Sequence, residues 1–136
     1  MAFADPQVGR SVISHPMTPA APMVTLAGAC VEGDILGYSS GWKRALATVG
    51  TAIQGRLVAL KGGASGDIIP VSPHAVVRGY TGGTAGNPVY VAEGTSNGCI
   101  TETAPSTSGD CNIIIGYMLN ATDALINLLM RADATA

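Results

Sequence analysis

Beyond Met23 the chain is a succession of short apolar runs, each cut by Gly, Asp, Asn or Ser before helical periodicity can establish itself. Short runs between turn residues are the signature of strands joined by tight connections. The runs predict strands over Met23–Val31, Ile35–Tyr38, Trp42–Val49, Arg56–Leu60 and Ile68–Ser72. Further strands are expected over Ala75–Tyr80, Pro88–Ala92, Cys99–Thr103 and Asn112–Leu119. Ser39-Ser40-Gly41 and Glu93–Gly98 read as hairpin turns, the latter through its Asn97-Gly98 dipeptide. The last run, Ala124–Arg131, admits two readings. Thr122-Asp123 suits a helix cap with Leu125, Leu128 and Leu129 on one face. Asn120–Asp123 also makes a natural hairpin turn, and the strand reading is adopted. The expected fold is all-β, a small antiparallel β-barrel or sandwich with Gly-rich hairpins.

The turns repeat. Gly-Asp occurs at Gly33-Asp34, Gly66-Asp67 and Gly109-Asp110, each time before an apolar run. Gly supplies positive φ and Asp bonds nearby backbone, so these pairs are turn devices. A weak internal echo links Gly33–Tyr38 with Gly86–Val91, each followed by a turn and a Gly-led apolar run. The spacings are unequal, which suits two similar β-units rather than a solenoid.

Residues 1–22 stand apart from the body at 23–136. They hold four of the eight prolines and show neither helical nor strand period, so they read as an extended N-terminal arm. The arm is not polar: Phe3, Val8, Val12, Ile13 and Met17 are spread along it, with Arg10 among its few charges. Two readings stand. The arm wraps its own domain, or it packs on a neighbour; in the second case Phe3, Val8, Arg10, Val12, Ile13 and Met17 are the contact residues. If the arm belongs to a partner's surface, removing residues 1–22 leaves a folded body.

Seven basic and nine acidic side chains give a charged fraction of 12% and a net charge of -2. Nucleic-acid binding needs a basic surface and is not expected. No apolar run is long enough for a membrane helix. Asp5, Pro6, Gln7, Arg10 and His15 interrupt the stretch that a signal peptide would need, so export is not expected. A solitary soluble domain usually carries more charge, so so weakly charged a surface suits one covered by copies of itself or by a lattice.

Catalytic groups are thin. Ser72, His74 and Asp67 can be written as a triad, but no nucleophile elbow supports it. Lys61–Gly66 has its lysine on the wrong side of the glycines for a phosphate loop. Glu93 and Glu102 flank a turn and read as solvated charges, and the Asn120-Ala121-Thr122 sequon needs an exported chain. Cys30, Cys99 and Cys111 lack the close spacing of a zinc site and read as reduced, buried thiols. No enzyme activity, metal or cofactor is expected.

One stretch does carry a resemblance. Gly86-Asn87-Pro88-Val89-Tyr90-Val91, then Gly98-Cys99-Ile100-Thr101, Gly109-Asp110 and Ile115–Thr122 resemble the capsid decoration (cement) proteins of tailed bacteriophages. Glu32-Gly33-Asp34 with Gly55–Leu60 fits the first half of the same pattern. Met118 departs from it, standing where a small residue is usual, as does the long Pro-rich arm. The resemblance implies a small β-barrel or sandwich, a homotrimer, and a place on the outer surface of a virion assembled in the host cytoplasm. The implied partner is the major capsid protein, whose neighbouring subunits the protein clamps. The alternatives are a fibre-base or receptor-binding module and a small-ligand-binding β-barrel.

Overall fold

Alternation of inward and outward side chains organises the body into two antiparallel sheets with no helix among the described residues. The computed structural model describes residues 7, 9–14, 21–129 and 133–136. Its strands are β1 (Ser11–Ser14), β2 (Met23–Thr25), β3 (Ile35–Tyr38), β4 (Trp42–Arg44), β5 (Leu57–Ala59) and β6 (Ile68–Ser72). They continue with β7 (His74–Arg78), β8 (Pro88–Val91), β9 (Ile100–Thr101), β10 (Gly116–Met118) and β11 (Asp123–Asn127). One sheet has the order β1-β7-β11-β10-β8-β9, the other β2-β6-β5-β3-β4. The all-β expectation holds, and the run from Ala124 is a strand as far as Asn127, with Leu128 and Leu129 beyond its end. Residues 130–132 lie outside the described set.

The five-stranded sheet curls until its ends meet. Leu26, just beyond β2, bridges Trp42 of β4, and the Ala27 N–H donates to the Trp42 carbonyl at 2.9 Å. Its concave side encloses Leu26, Cys30, Leu36, Ala59, Ile69 and Val71, with Val24, Leu57 and Trp42 at the margin. Residues of opposite parity, Ile35 and Val58, point the other way and meet the six-stranded sheet. That second core holds Val77, Val89, Ile100, Met118 and Ile126, all fully buried. The chain crosses between the sheets at Ser72-Pro73-His74. There the Ser72 hydroxyl donates to the His74 carbonyl at 2.7 Å and accepts from the His74 N–H at 3.2 Å.

Five turns share one construction. Asp34, Asp67, Asn87, Cys99 and Asp110 each donate their N–H to the carbonyl three residues back, at 2.9–3.1 Å. In every case the preceding glycine has a φ between 79° and 95°. A side chain there would be strained, which is why the motif is read so easily from sequence. In the three Gly-Asp turns the carboxylate also accepts the N–H three residues back, from Val31, Ala64 and Thr107.

Several expected strands are shorter than read. The run from Met23 leaves its ladder after Thr25, where the Ala27 N–H turns to Trp42, and that from Trp42 ends after Arg44, beyond which Leu46 bridges Ile53 and the Ala47 N–H bonds Ala92. Within the N-terminal segment the structure adds β1, which no periodicity marks. It pairs with β7, and its register slips between Val12 and Ser14. The slip removes the alternation by which a strand is recognised. Over its described part the segment therefore lies on its own body.

The outer edge of β9 is closed by a side chain. Gln7 donates its amide to the Ile100 carbonyl and accepts the Ile100 N–H, both at 3.1 Å, as a neighbouring strand would. Gln7→Ala leaves both groups of a buried residue without these partners, an expected cost of about 1–3 kcal/mol. Native-state hydrogen exchange checks this: the Ile100 amide should lose protection more than the amides of β7 and β11.

Candidate functional site

The segment's one described charge goes inward. Arg10 and Asp34 form an ion pair in which each side chain is no more than 2% exposed. Arg10 Nη2 donates to Asp34 Oδ1, while Nη1 donates to the carbonyls of Gly33 at 3.1 Å and Gly98 at 3.2 Å. Asp34 Oδ2 accepts the Val31 N–H at 2.9 Å. Burial is the largest single influence on the guanidinium and works against its charge, but the field of Asp34, its hydrogen bond and the neighbouring Tyr80 and Cys99 together outweigh it and raise the Arg10 pKa. Tyr80 lies against the same guanidinium, and burial pushes its phenol up to about 12. The cluster is built to hold chain segments together rather than to exchange protons at neutral pH.

Arg10 is thus a structural anchor, not the surface contact expected of it in a neighbour-binding arm. Val12 is half-buried against the larger core, and its N–H donates to Glu32 Oε2 at 2.7 Å. Ile13 is 45% exposed and stays available to a partner. Phe3, Val8 and Met17 lie outside the described residues. No sequence signal marks Asp34 and Tyr80 as members of this cluster, or Gln7 as the partner of Ile100. Gly33-Asp34 signals a turn, and nothing local tells that the carboxylate also faces an arginine.

The candidate catalytic groups do not converge. Ser72 spends its hydroxyl on the backbone of His74, and Asp67 closes its own turn. Glu102 caps the Thr84 N–H at 2.9 Å. Glu93 does not pair with Glu102 but hydrogen-bonds to Asp110, which pushes the Glu93 carboxyl up. The N–H groups of Val49 and Thr107 hold Asp110 below the usual carboxylate range, Val49 contributing most. Asn120 of the sequon accepts from Thr122 and Asp123 as a turn device. Among the described residues no group of three or more His, Cys, Asp or Glu is placed to hold a metal ion. The cysteines are buried, none is in a disulfide, and burial pushes the thiols of Cys30 and Cys111 up.

What the surface does present is apolar. On the outward face of the six-stranded sheet, Pro88, Tyr117, Leu125 and Val76 lie directly opposite one another on β8, β10, β11 and β7. On the outer side of the five-stranded sheet, Met23 faces Pro70 and Thr25 faces Ile68. Met23, Ile68 and Tyr117 are 56%, 64% and 47% exposed. Few charges interrupt these rows. Arg78 beside the first is tied to Asp123 by two bonds of 3.1 Å.

Breaking the buried pair from either side should be costly. Arg10→Met or Asp34→Leu alone strands a charge, an expected loss of about 3–5 kcal/mol, while the double variant recovers much of it. Urea titrations of the three variants check this. Acidification acts elsewhere. Arg78 holds Asp123 down and Arg56 holds Asp133 down, so folded pKa values lie below unfolded ones. Their stabilisation is present above the ordinary aspartate pKa of about 4 and is lost as pH falls through the folded values. Asp123→Asn should flatten the acid limb of stability against pH.

Comparison with known protein families, curated proteins and solved structures finds no match to this chain.

Proposed function

We propose that the protein is a structural virion component that decorates the outer surface of a tailed-bacteriophage capsid and clamps neighbouring major capsid subunits. The observation that carries this reading is the pair of apolar rows left on the outer faces of a chain only 12% charged. Exposed aliphatic and aromatic groups in rows mark surfaces that another protein covers. Their placement on faces suits lateral packing against a shell or against copies of the same chain, and a homotrimer on the capsid is part of the proposal. The motif resemblance at Gly86–Val91, Gly98–Thr101 and Ile115–Thr122 supplies the kind of shell. The want of convergent titratable groups among the described residues favours a structural role over a catalytic one.

Heads expanded in the absence of this protein provide the test. The wild-type chain should co-sediment with them in many copies per head. Ile68→Asp and Tyr117→Asp alter exposed positions and should leave stability within about 0.5 kcal/mol. Each should weaken attachment by at least about tenfold, equivalent to 1.4 kcal/mol. Attachment in a few copies at one vertex would instead make the protein a fibre-base module. Wild-type attachment by both variants would remove the apolar rows from the account.

A further inference from the structure

Above the Arg10–Asp34 pair lies a cavity of about 290 Å³, lined by Arg10, Asp34, Arg44, Thr95, Ser96 and Asn97 among its residues. Its floor is electrically neutral. The two Asp34 oxygens are engaged by Arg10 and by the Val31 N–H, and Arg10 Nη1 and Nη2 bond two carbonyls and Asp34, which leaves only the buried Nε without a hydrogen-bond partner. The rim is different. Arg44 forms no ion pair among the described residues, and the side chains of Thr95, Ser96 and Asn97 make no hydrogen bond there. Gly98 shapes the opening. A Cβ on it would meet the Asp34 carboxyl at 2.7 Å and the Arg44 Cδ at 3.1 Å, so the bare backbone lets the Arg44 stem lie across the cavity wall.

We infer that this cavity is a binding site for a single carboxylate, supplied by an acidic side chain of a partner protein. Arg44 offers a planar fork of donors that matches a carboxylate, and the hydroxyls and amide of the Thr95–Asn97 turn add neutral donors beside it. One unneutralised guanidinium balances one negative charge, which fits a carboxylate better than a dianionic phosphate. The volume lies at the lower limit of small-ligand pockets and suits one Asp or Glu side chain rather than a cofactor. The site is separate from the apolar rows, so it stands or falls independently of the capsid reading.

The test is an NMR titration of the ¹⁵N-labelled full chain with the capped peptide acetyl-Gly-Asp-Gly-amide. Saturable shifts are expected at the Arg44 Nε, the Asn97 side-chain amide and Ser96. The Asn analogue of the peptide should bind at least tenfold more weakly. Arg44→Gln, an exposed substitution, should abolish the shifts while leaving the spectrum of β7 and β11 unchanged. No saturable shift, equal response to the Asn peptide, or persistence in Arg44→Gln overturns the inference. Tighter binding of inorganic phosphate overturns the carboxylate assignment. Acetate binding as tightly as the Asp peptide overturns the partner side chain as its source.

Discussion

The buried ion pair of Arg10 and Asp34 is the constraint around which the molecule is arranged. Two charges removed from water are costly unless most of their remaining donors and acceptors are met, and here all but the Arg10 Nε are. Here that requirement draws in the turns at Gly33 and Gly98 and the phenol of Tyr80. The pair thus fixes the N-terminal segment, the start of β3 and the β8–β9 hairpin at one point. It also dictates residue type around it. A Cβ at Gly33 would come within 3.2 Å of the Arg10 side chain, and one at Gly98 would strike Asp34.

From that anchor follows how the sheets end. Gln7 lies three positions before Arg10 and serves as a surrogate strand for β9, while Glu32, next to the Gly33 turn, caps the outward N–H of Val12 on β1. The other sheet meets itself at Leu26 and Trp42. At the far end, residues 133–136 lie back along 109–112, with Gly109 N–H to Ala136 at 2.9 Å and Asn112 N–H to Ala134 at 3.1 Å. Edges treated in this way discourage strand addition by other chains. The outward faces, where the apolar rows lie, carry no such closure, and the proposed attachment uses faces rather than edges.

Much of this architecture is legible in sequence because its signals are local. Turn glycines followed by Asp or Asn announce the strand starts at Ile35, Ile68 and Pro88, and Asn97-Gly98 announces a hairpin. The choice of strand over helix after Asn120 rested on the same chemistry, and Asn120 does accept the N–H groups of Thr122 and Asp123. What was not legible is long-range. Arg10 meets Gly98 across 88 positions and Gln7 meets Ile100 across 93, and no spacing rule connects them. A proline-rich segment with a bulged strand carries no period, so β1 was invisible. Arg10 on such a segment reads as a contact for a neighbour until its partner within the body is known.

The central claim is that the N-terminal segment belongs to the body through its buried pair. Thermal unfolding of the chain lacking residues 1–22, followed by circular dichroism beside the full-length protein, tests it directly. Truncation removes β1, Gln7 and Arg10 together and leaves Asp34 buried without its counter-charge. The account predicts that the cooperative transition is lost or displaced to much lower temperature. A truncated chain that melts cooperatively at the full-length temperature would contradict it and would make the segment an independent arm.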